Sequence, residues 1–359
     1  MIRASYAIAA ALLLVACDVA PPNAPPSTAA SARYTLTFAS PYPPTHPFSR
    51  ADIEWMTLVT KESGGRIVFR PYWSGALLSA DMSMEEIRHG IADIGLITPI
   101  YARGGAHLLR VQSGFYGGVR DINQQVAVYD CLAARFPGFA KELEGLHVLA
   151  VQGGNFPGVL TRYRPIRTLA DFKGLRLRAQ SDAIDVLTQL GADPVNMPMG
   201  EVYSALAKGV IDGVVAPADT IKSLHFSEVA KHFTTIRFSR GAYPARAISD
   251  AAWRRLPPDM QALLIRSKPA WETALNRQLQ AAEIAGIASG RSNGVTFRPL
   301  PSAEQARFDA LYNADATRQA RGMQTIDIDA EPVLAAAQAM IKAGAPRRCA
   351  TTGAQETNS

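Results

Sequence analysis

The sequence predicts an α/β fold built from two similar lobes, and three patterns lead to this prediction. Short apolar strands alternate with helical segments, as in 34–39 and 66–72, which flank a helical stretch over 47–62. A comparable succession of strand, helix and strand returns about 120 residues later. The C-terminal third is rich in residues that favour helices. We therefore expect two α/β lobes braced by long C-terminal helices.

The two copies share details beyond the order of their elements. In the first copy a helix stops at Gly90, and Asp93 follows just before an apolar strand. In the second copy Gly209 and Asp212 hold the same places. Glycine at these points is typical of a helix C-cap. Two similarly built lobes would leave a cleft between them, which is the natural place for a ligand.

Helix signals are clear in the C-terminal third. Ser249 and Asp250 form an N-cap signal before an apolar segment, and a Pro-Pro pair opens the next helix. The stretch 270–288 is rich in Ala, Leu, Gln and Glu, which favour a long helix. From about Arg347 to residue 359 the chain is expected to fray.

The N-terminus has the features of an export signal. Residues 1–16 carry Arg3 followed by an apolar run too short to span a bilayer, which predicts a secretory signal peptide. The run ends in LVAC, which resembles a bacterial lipobox, so Cys17 is the expected lipidation site. An ordinary signal peptide with a chance cysteine is the alternative. Residues 17–33 are mostly Pro, Ala and Ser and should form a lipidated, flexible tether.

Composition argues against several kinds of function. Lys and Arg number 37 against 31 Asp and Glu, a net charge of +6. These basic residues are scattered without interleaved aromatics, so no nucleic-acid partner is expected. No metal-ligand spacing occurs, and no metal site is expected. In an oxidising compartment Cys131 and Cys349 are a possible disulfide, with two buried free thiols as the alternative.

Several segments taken together resemble the extracytoplasmic solute receptors of tripartite ATP-independent periplasmic (TRAP) transporters. The resemblance covers nearly all of the chain after the tether. Its strongest part is PIRTLADFKGLRLRAQ followed by LGADPVNMPMGEVYSALAKGVIDGVVAP. The segments lie at 43–59, 63–77, 86–99, 165–180, 190–217 and 253–264.

The resemblance implies a periplasmic-binding-protein fold with two lobes and a hinge. Lobe I would comprise 34–153 plus about 242–283, and lobe II 154–241 plus about 284–346. The implied function is capture of a small organic acid by hinge closure, without covalent chemistry or cofactor. The implied partners are the small and large TRAP membrane subunits, and the receptor is expected to act as a monomer in the periplasm. Asp18 resembles the signal that keeps lipoproteins in the inner membrane.

The same resemblance points to one arginine as the ligand anchor. Arg178 is the counterpart of the family arginine that holds the substrate carboxylate. A planar guanidinium suits this role because it offers two parallel N–H donors to a carboxylate. Residues near loops or strand ends form a second group of candidates for ligand contact, although each is equally suited to packing or turn formation. They are Asn155, Trp73, Thr98, Ala216 and Tyr243.

The sequence also departs from the sialic-acid receptors of the family. Their second ligand-binding arginine aligns with Gly158, and an asparagine that contacts ligand aligns with Ala216. We therefore expect a ligand other than sialic acid, with a monocarboxylate or aromatic acid favoured over a dicarboxylate. Arg246 or Arg162 would be the substitute if a second positive charge is present.

Three other functions are alternatives to a TRAP receptor. No nucleophile elbow, paired-acid signature or metal motif organises an active site, so an enzyme is not expected. A ligand-binding lobe of a sensory receptor would normally continue into a transmembrane or signalling segment, and none follows here. A receptor for another importer class stays open at this stage, because the features above would serve it equally well.

Overall fold

A computed structural model describes residues 32–344 and residue 349. The predicted signal peptide, Cys17 and almost all of the tether lie outside these residues, as does most of the predicted tail. The strands of the described part are β1 Tyr34–Ala39, β2 Ile67–Tyr72, β3 Ile94–Leu96, β4 Leu146–Gln152, β5 Gly158–Thr161, β6 Arg176–Ala179, β7 Asp193–Asn196, β8 Gly213–Ala216, β9 His232–Thr235, β10 Tyr243–Ser249 and β11 Thr296–Pro299.

Helices connect and cover these strands. The α-helices are α1 Pro47–Glu62, α2 Ser83–Arg88, α3 His107–Val111, α4 Ile122–Arg135, α5 Gly138–Glu142, α6 Ser181–Gln189, α7 Val202–Lys208, α8 Asp219–Ser223, α9 Asp250–Arg254, α10 Pro258–Arg266, α11 Lys268–Ser292, α12 Ser302–Gly322 and α13 Glu331–Lys342. Short 3₁₀ turns occupy Pro99–Tyr101, Gln112–Gly114, Leu169–Phe172, Met199–Glu201, Phe226–Glu228 and Met323–Ile326.

The strands form two separate sheets, which confirms the predicted two-lobed α/β fold. The first sheet has the order β2-β1-β3-β10-β4, and the second has the order β11-β9-β5-β8-β6-β7. The chain passes from the first sheet to the second through residues 153–157 and returns through residues 236–242. It then reaches the second sheet again along α11. Three segments therefore join the two sheets.

The internal repeat has a structural counterpart in each sheet. The Asp93 carboxylate accepts a hydrogen bond from the backbone N–H of Thr37 on β1, at 2.8 Å. The Asp212 carboxylate does the same for the backbone N–H of Arg176 on β6, at 2.9 Å. In both lobes the accepting residue precedes a strand that runs parallel to the donor's strand, β3 beside β1 and β8 beside β6. The repeated aspartates thus tie adjacent parallel strands together.

Helix α11 is common to both lobes. It packs against α1 and β4 in the first lobe and against α8 and β11 in the second. Gly286 permits the close approach to α8, because a Cβ atom there would lie 2.1 Å from the carbonyl oxygen of Ala218. The lobe boundary predicted near residues 283 and 284 falls inside this helix.

Helix α13 differs from its predicted placement. The sequence assigned it to lobe II, but in the structure it packs against α4 of the first lobe. Val333 and Leu334 join a core that includes Val128 and Leu132. Helix α13 belongs to the first lobe because its apolar face covers α4. This contact joins segments about 200 residues apart in sequence.

Cys131 on α4 and Cys349 form a disulfide in the structure, with Cα atoms 5.0 Å apart. This is the first of the two states that the sequence left open. A structural disulfide suits a protein of an oxidising compartment. No helix in the part of the chain that the structure describes is both long and apolar enough to cross a membrane.

Candidate functional site

A cavity lies between the two lobes, with about 40 Å³ open to the centre of a water-sized sphere. The segments that follow the carboxyl ends of parallel strands line this cavity. Tyr42 follows β1 and Tyr101 follows β3 in the first lobe, while Asp182 follows β6 and Asp219 follows β8 in the second. Parallel strands bring such residues to the same edge of a sheet, where α/β proteins bind their ligands.

The first-lobe wall of the cavity is aromatic and uncharged. Tyr42 stacks on His46 with ring centroids 4.2 Å apart, and it meets Phe48 edge to face at 5.3 Å. Burial raises the pKa of Tyr42 well above its usual value. Burial and the charge of Arg246 lower the pKa of His46 to about 3, so this imidazole is neutral at physiological pH. Tyr101 and Tyr243 complete the wall.

Arg178 lies on β6 and is fully buried. Its side chain does not line this cavity but contacts Tyr101 and Val215, which do. Its Nε donates to the carbonyl oxygen of Met197 at 2.9 Å, and Nη1 donates to that of Val215 at 3.3 Å. Its Nη2 donates to the hydroxyl of Tyr101, which belongs to the other lobe. These bonds use three of five N–H groups, so each terminal nitrogen keeps one N–H for a ligand.

The charge of Arg178 has no counter-ion among the described residues. Arg176, two residues earlier on the same strand, pairs with Asp212 at 2.8 Å, and Arg246 pairs with Asp52 at 2.6 Å. Among the described residues, no carboxylate forms such a pair with Arg178. A buried unpaired guanidinium is costly, and this cost favours binding of an anion.

Asn155 lines the cavity, but its side chain serves the connection between the lobes. Its Nδ2 donates to Asp219 Oδ1 and to the carbonyl oxygen of Leu279, each at 3.0 Å. Its own carbonyl oxygen accepts from Nη1 of Arg240 at 3.0 Å. Because Asn155 and Arg240 lie in the two segments that cross between the lobes, this network links both crossings to α8 and α11.

Two carboxyl groups in this network have altered acidity. Burial raises the pKa of Asp219, against the effect of the Asn155 hydrogen bond. The backbone N–H of Asp219 donates to Glu283 Oε2 at 3.0 Å. Burial, and then the neighbouring Asp219 charge, raise the pKa of Glu283 to about 7. Glu283 on α11 is therefore partly protonated at neutral pH.

Tyr243, the other predicted residue that lines the cavity, is also held by the protein. Its hydroxyl accepts a hydrogen bond from Nε2 of Gln152 at 2.8 Å. Burial raises its pKa to about 12, so the phenol stays protonated. A protonated hydroxyl that already accepts one bond still has its own hydrogen to donate to a ligand.

Four predicted residues do not line the cavity, namely Arg178, which lies behind Tyr101 and Val215, and three others. Trp73 lies in a separate surface groove, where its ring packs on Phe38 with centroids 5.5 Å apart. Thr98 is buried, and its hydroxyl bonds with Ser83 at 3.2 Å and with the carbonyl of Ala80. Ala216 is buried within β8, while its neighbours in sequence reach the cavity. Their strand-end positions were correct, but packing turns these side chains elsewhere.

The predicted sources of a second positive charge lie away from the cavity as well. Arg246 is buried and paired with Asp52, and Arg162 bonds the hydroxyl of Tyr163 at 2.8 Å on the surface. Gly158 leaves no room for a side chain, since a Cβ would lie 2.6 Å from the Phe233 ring.

The sequence analysis missed most of the cavity lining, including the aromatic wall and the charged residues Arg240, Asp182 and Asp219. Arg240 stands at the end of the crossing segment before β10, next to Gly241. Asp182 comes four residues after Arg178, in the first turn of α6. Their positions next to strand ends were the signal available in the sequence.

Comparison with known proteins agrees with this architecture. Residues 38–321 match the family model described as "Bacterial extracellular solute-binding protein, family 7". A TRAP solute-binding protein of Rhodoferax ferrireducens has a similar structure, with a TM-score of 0.77 and 26% identity. The superposition covers 86% of this chain and 98% of that chain.

Two curated relatives agree in sequence. A solute-binding protein of a Sulfitobacter strain is 25% identical over 291 residues, which is 80% of this chain and 84% of the relative. A solute-binding protein of Albidiferax ferrireducens is 27% identical over 216 residues, or 58% of this chain and 62% of the relative. The match to the second relative thus spans somewhat less than two thirds of its length.

The family match extends over most of the chain, and the two-lobed fold with its cavity agrees with it. The family's members are periplasmic binding proteins of transporters for small carboxylates, not enzymes. The chain therefore belongs to family 7 of the bacterial extracellular solute-binding proteins, and it is an extracytoplasmic solute receptor of the TRAP type.

Proposed function

We propose that this receptor captures a small aromatic monocarboxylate, which Arg178 anchors while the two lobes close around it. The observation that carries the proposal is the buried guanidinium of Arg178 with no carboxylate paired to it among the described residues. A ligand carboxylate would supply the missing charge and accept the two remaining N–H groups in a bidentate arrangement. Delivery to the membrane subunits would follow.

The aromatic part of the proposal rests on the walls of the cavity. Tyr42, Phe48, Tyr101, Tyr243 and Phe238 surround its interior. Aromatic side chains favour the edges and faces of another ring, with a gain beyond the area buried. The Rhodoferax ferrireducens protein, at 26% identity, is described in complex with copurified benzoate. A benzoate-sized acid is thus the simplest occupant for this cavity.

Hinge closure is supported by the contacts that cross between the lobes. Arg178 of the second lobe meets the hydroxyl and the ring of Tyr101 of the first, with the guanidinium carbon 5.5 Å from the ring centroid. Ser181 of the second lobe donates to the carbonyl of Ile100 at 3.4 Å. A ligand that contacts both sides would favour the closed form over the open one.

The test is calorimetric titration of the purified protein with benzoate, the neutral isostere benzamide, and the dicarboxylate malate. We expect benzoate to bind and benzamide to bind about 100-fold more weakly, because the amide cannot neutralise Arg178. Malate should also bind more weakly than benzoate. Equal binding of benzoate and benzamide, or a preference for malate, would contradict the proposal.

Lipid attachment at Cys17 is a further part of the proposed function. Its support is the LVAC sequence, followed by the Pro-rich and Ala-rich tether, and Asp18 favours retention at the inner membrane. An anchored receptor would stay close to its membrane subunits and would need no partner copy, so we propose that it acts as a monomer.

Mass spectrometry of the protein from its native membrane tests this attachment. The expected N-terminal fragment starts at Cys17 and carries a diacylglyceryl group. In Cys17→Ser the lipid should be absent, and the protein should leave the membrane fraction. A soluble wild-type protein without lipid would show that the alternative, an ordinary signal peptide, is right.

A further inference from the structure

A buried carboxyl group from the same lobe as Arg178 lines the cavity. Asp182 lies in the first turn of α6 and is 9% exposed. Its Oδ2 accepts a hydrogen bond from the hydroxyl of Tyr312 on α12 at 3.0 Å. Tyr312 is itself buried, and burial raises its pKa well above the usual value, so it acts as a donor. One side of the Asp182 carboxylate is therefore held by the protein.

The other side of this carboxylate has acceptor capacity to spare. A carboxylate has about four lone-pair positions, and the side-chain hydrogen bond from Tyr312 uses one. Among the described residues Asp182 forms no ion pair. Burial raises the pKa of Asp182, whereas the Tyr312 hydrogen bond and the charges of Arg240 and Arg178 lower it. A buried acceptor without enough donors favours a ligand that brings one.

Asp219, the other buried acid of the cavity, is committed differently. Its Oδ1 accepts from Asn155, and its backbone N–H is bound by Glu283. These contacts join it to the segments that cross between the lobes. Asp182 has no such link to the crossing segments, which leaves it as the cavity carboxylate available to a ligand.

The kind of donor follows from the charges around the cavity. Arg240 lines the same cavity as Asp182, and Arg178 bonds Tyr101 and Val215 of its lining. A ligand ammonium would meet these two guanidinium groups, so a neutral hydroxyl is the better donor. A second ligand carboxylate would face the negative charge of Asp182 and would be disfavoured.

We propose that Asp182 determines specificity by accepting a hydrogen bond from a ligand hydroxyl, so that the solute is a hydroxylated aromatic acid. This inference rests on the proposed function, since it assumes that Arg178 holds the carboxylate. The ligand then spans the cavity from the guanidinium of Arg178 to the carboxylate of Asp182, and the aromatic wall contacts its ring.

The experiment compares two ligands that differ by one hydroxyl, 3-hydroxybenzoate and benzoate, by calorimetric titration of the full protein. A hydrogen bond to a charged acceptor is worth enough to make the wild type prefer 3-hydroxybenzoate by about 10- to 100-fold. In Asp182→Ala this preference should fall below about threefold, because 3-hydroxybenzoate loses a hydrogen bond that benzoate never makes. Mandelate against phenylacetate repeats the comparison with the hydroxyl at another position.

Two further variants separate specificity from structure. Tyr312→Phe removes the protein donor to Asp182 but keeps the carboxylate, so the preference for the hydroxylated acid should persist. Asp182→Asn keeps the shape, and thermal melting of each variant reports on folding. If Asp182→Ala and Asp182→Asn weaken both ligands equally, Asp182 has only a structural role and this inference is wrong. If the wild type binds neither acid, the proposed function itself is wrong.

Discussion

Replacing Arg178 by alanine is expected to lower the affinity of the receptor for its acid ligand by about 100- to 1000-fold. The guanidinium is fully buried, and no carboxylate among the described residues pairs with it. The ligand carboxylate would therefore be its counter-ion. Without the Arg178 guanidinium, the ligand carboxylate would enter the closed cavity and find no positively charged partner on β6. Calorimetric titration with benzoate measures the effect.

Arg178→Lys refines this prediction. Lysine keeps the positive charge but loses the two parallel donors and the contacts with Met197 and Val215, so binding should weaken less than in the alanine variant. The matched control is Arg176→Ala on the same strand, because Arg176 forms a partly exposed pair with Asp212 outside the cavity. Its affinity should stay within about threefold of wild type. An Arg178→Ala protein that is folded and binds benzoate as tightly as wild type would contradict the role of Arg178 as the anchor of the ligand carboxylate.

Replacing Asp52 by alanine is expected to destabilise the protein by about 3–5 kcal/mol. Asp52 on α1 is completely buried and accepts from Nε and Nη2 of Arg246 at 2.6 and 2.9 Å. It also accepts from the indole N–H of Trp271 on α11 at 2.8 Å. Its loss would leave the buried guanidinium of Arg246 without its carboxylate. Equilibrium unfolding in urea gives the free energy of unfolding directly.

Asp259→Ala is the matched control for this stability effect. Asp259 pairs with Arg66 at 2.6 Å, but its side chain is 57% exposed, so its loss should destabilise the protein far less than the loss of Asp52. The double variant Asp52→Leu with Arg246→Met should recover part of the stability lost in Asp52→Ala, because neither buried charge remains. If Asp52→Ala costs no more than Asp259→Ala, the buried pair does not stabilise the first lobe as the geometry indicates.

The cavity shows how much of a binding site can be predicted from the positions of residues near strand ends. The sequence placed Thr98 and Ala216 at the ends of β3 and β8, and the structure puts both there. The side chains that enter the cavity belong instead to their neighbours, such as Tyr101 and Val215. The direction of a side chain depends on the packing around it, which a local pattern does not contain.

The distribution of charge depended on distant partners in a similar way. Arg246 was a candidate for the second positive charge of the site, yet Asp52, 194 residues earlier, takes it into a buried ion pair. Arg240 has no such partner among the described residues and reaches the cavity. Before folding, both are single arginines near β10, and nothing within their neighbourhood distinguishes them.

The sequence by itself determined the alternation of strands and helices, the repeated aspartates of the two lobes and, through family resemblance, the receptor class. These features depend on backbone hydrogen bonding and apolar periodicity over a few residues, which a sequence displays directly. Only the tertiary structure decided which lobe α13 covers, which arginine is paired and which acids line the cavity. Those outcomes depend on contacts between segments 100 or more residues apart, where burial and charge pairing select the partners.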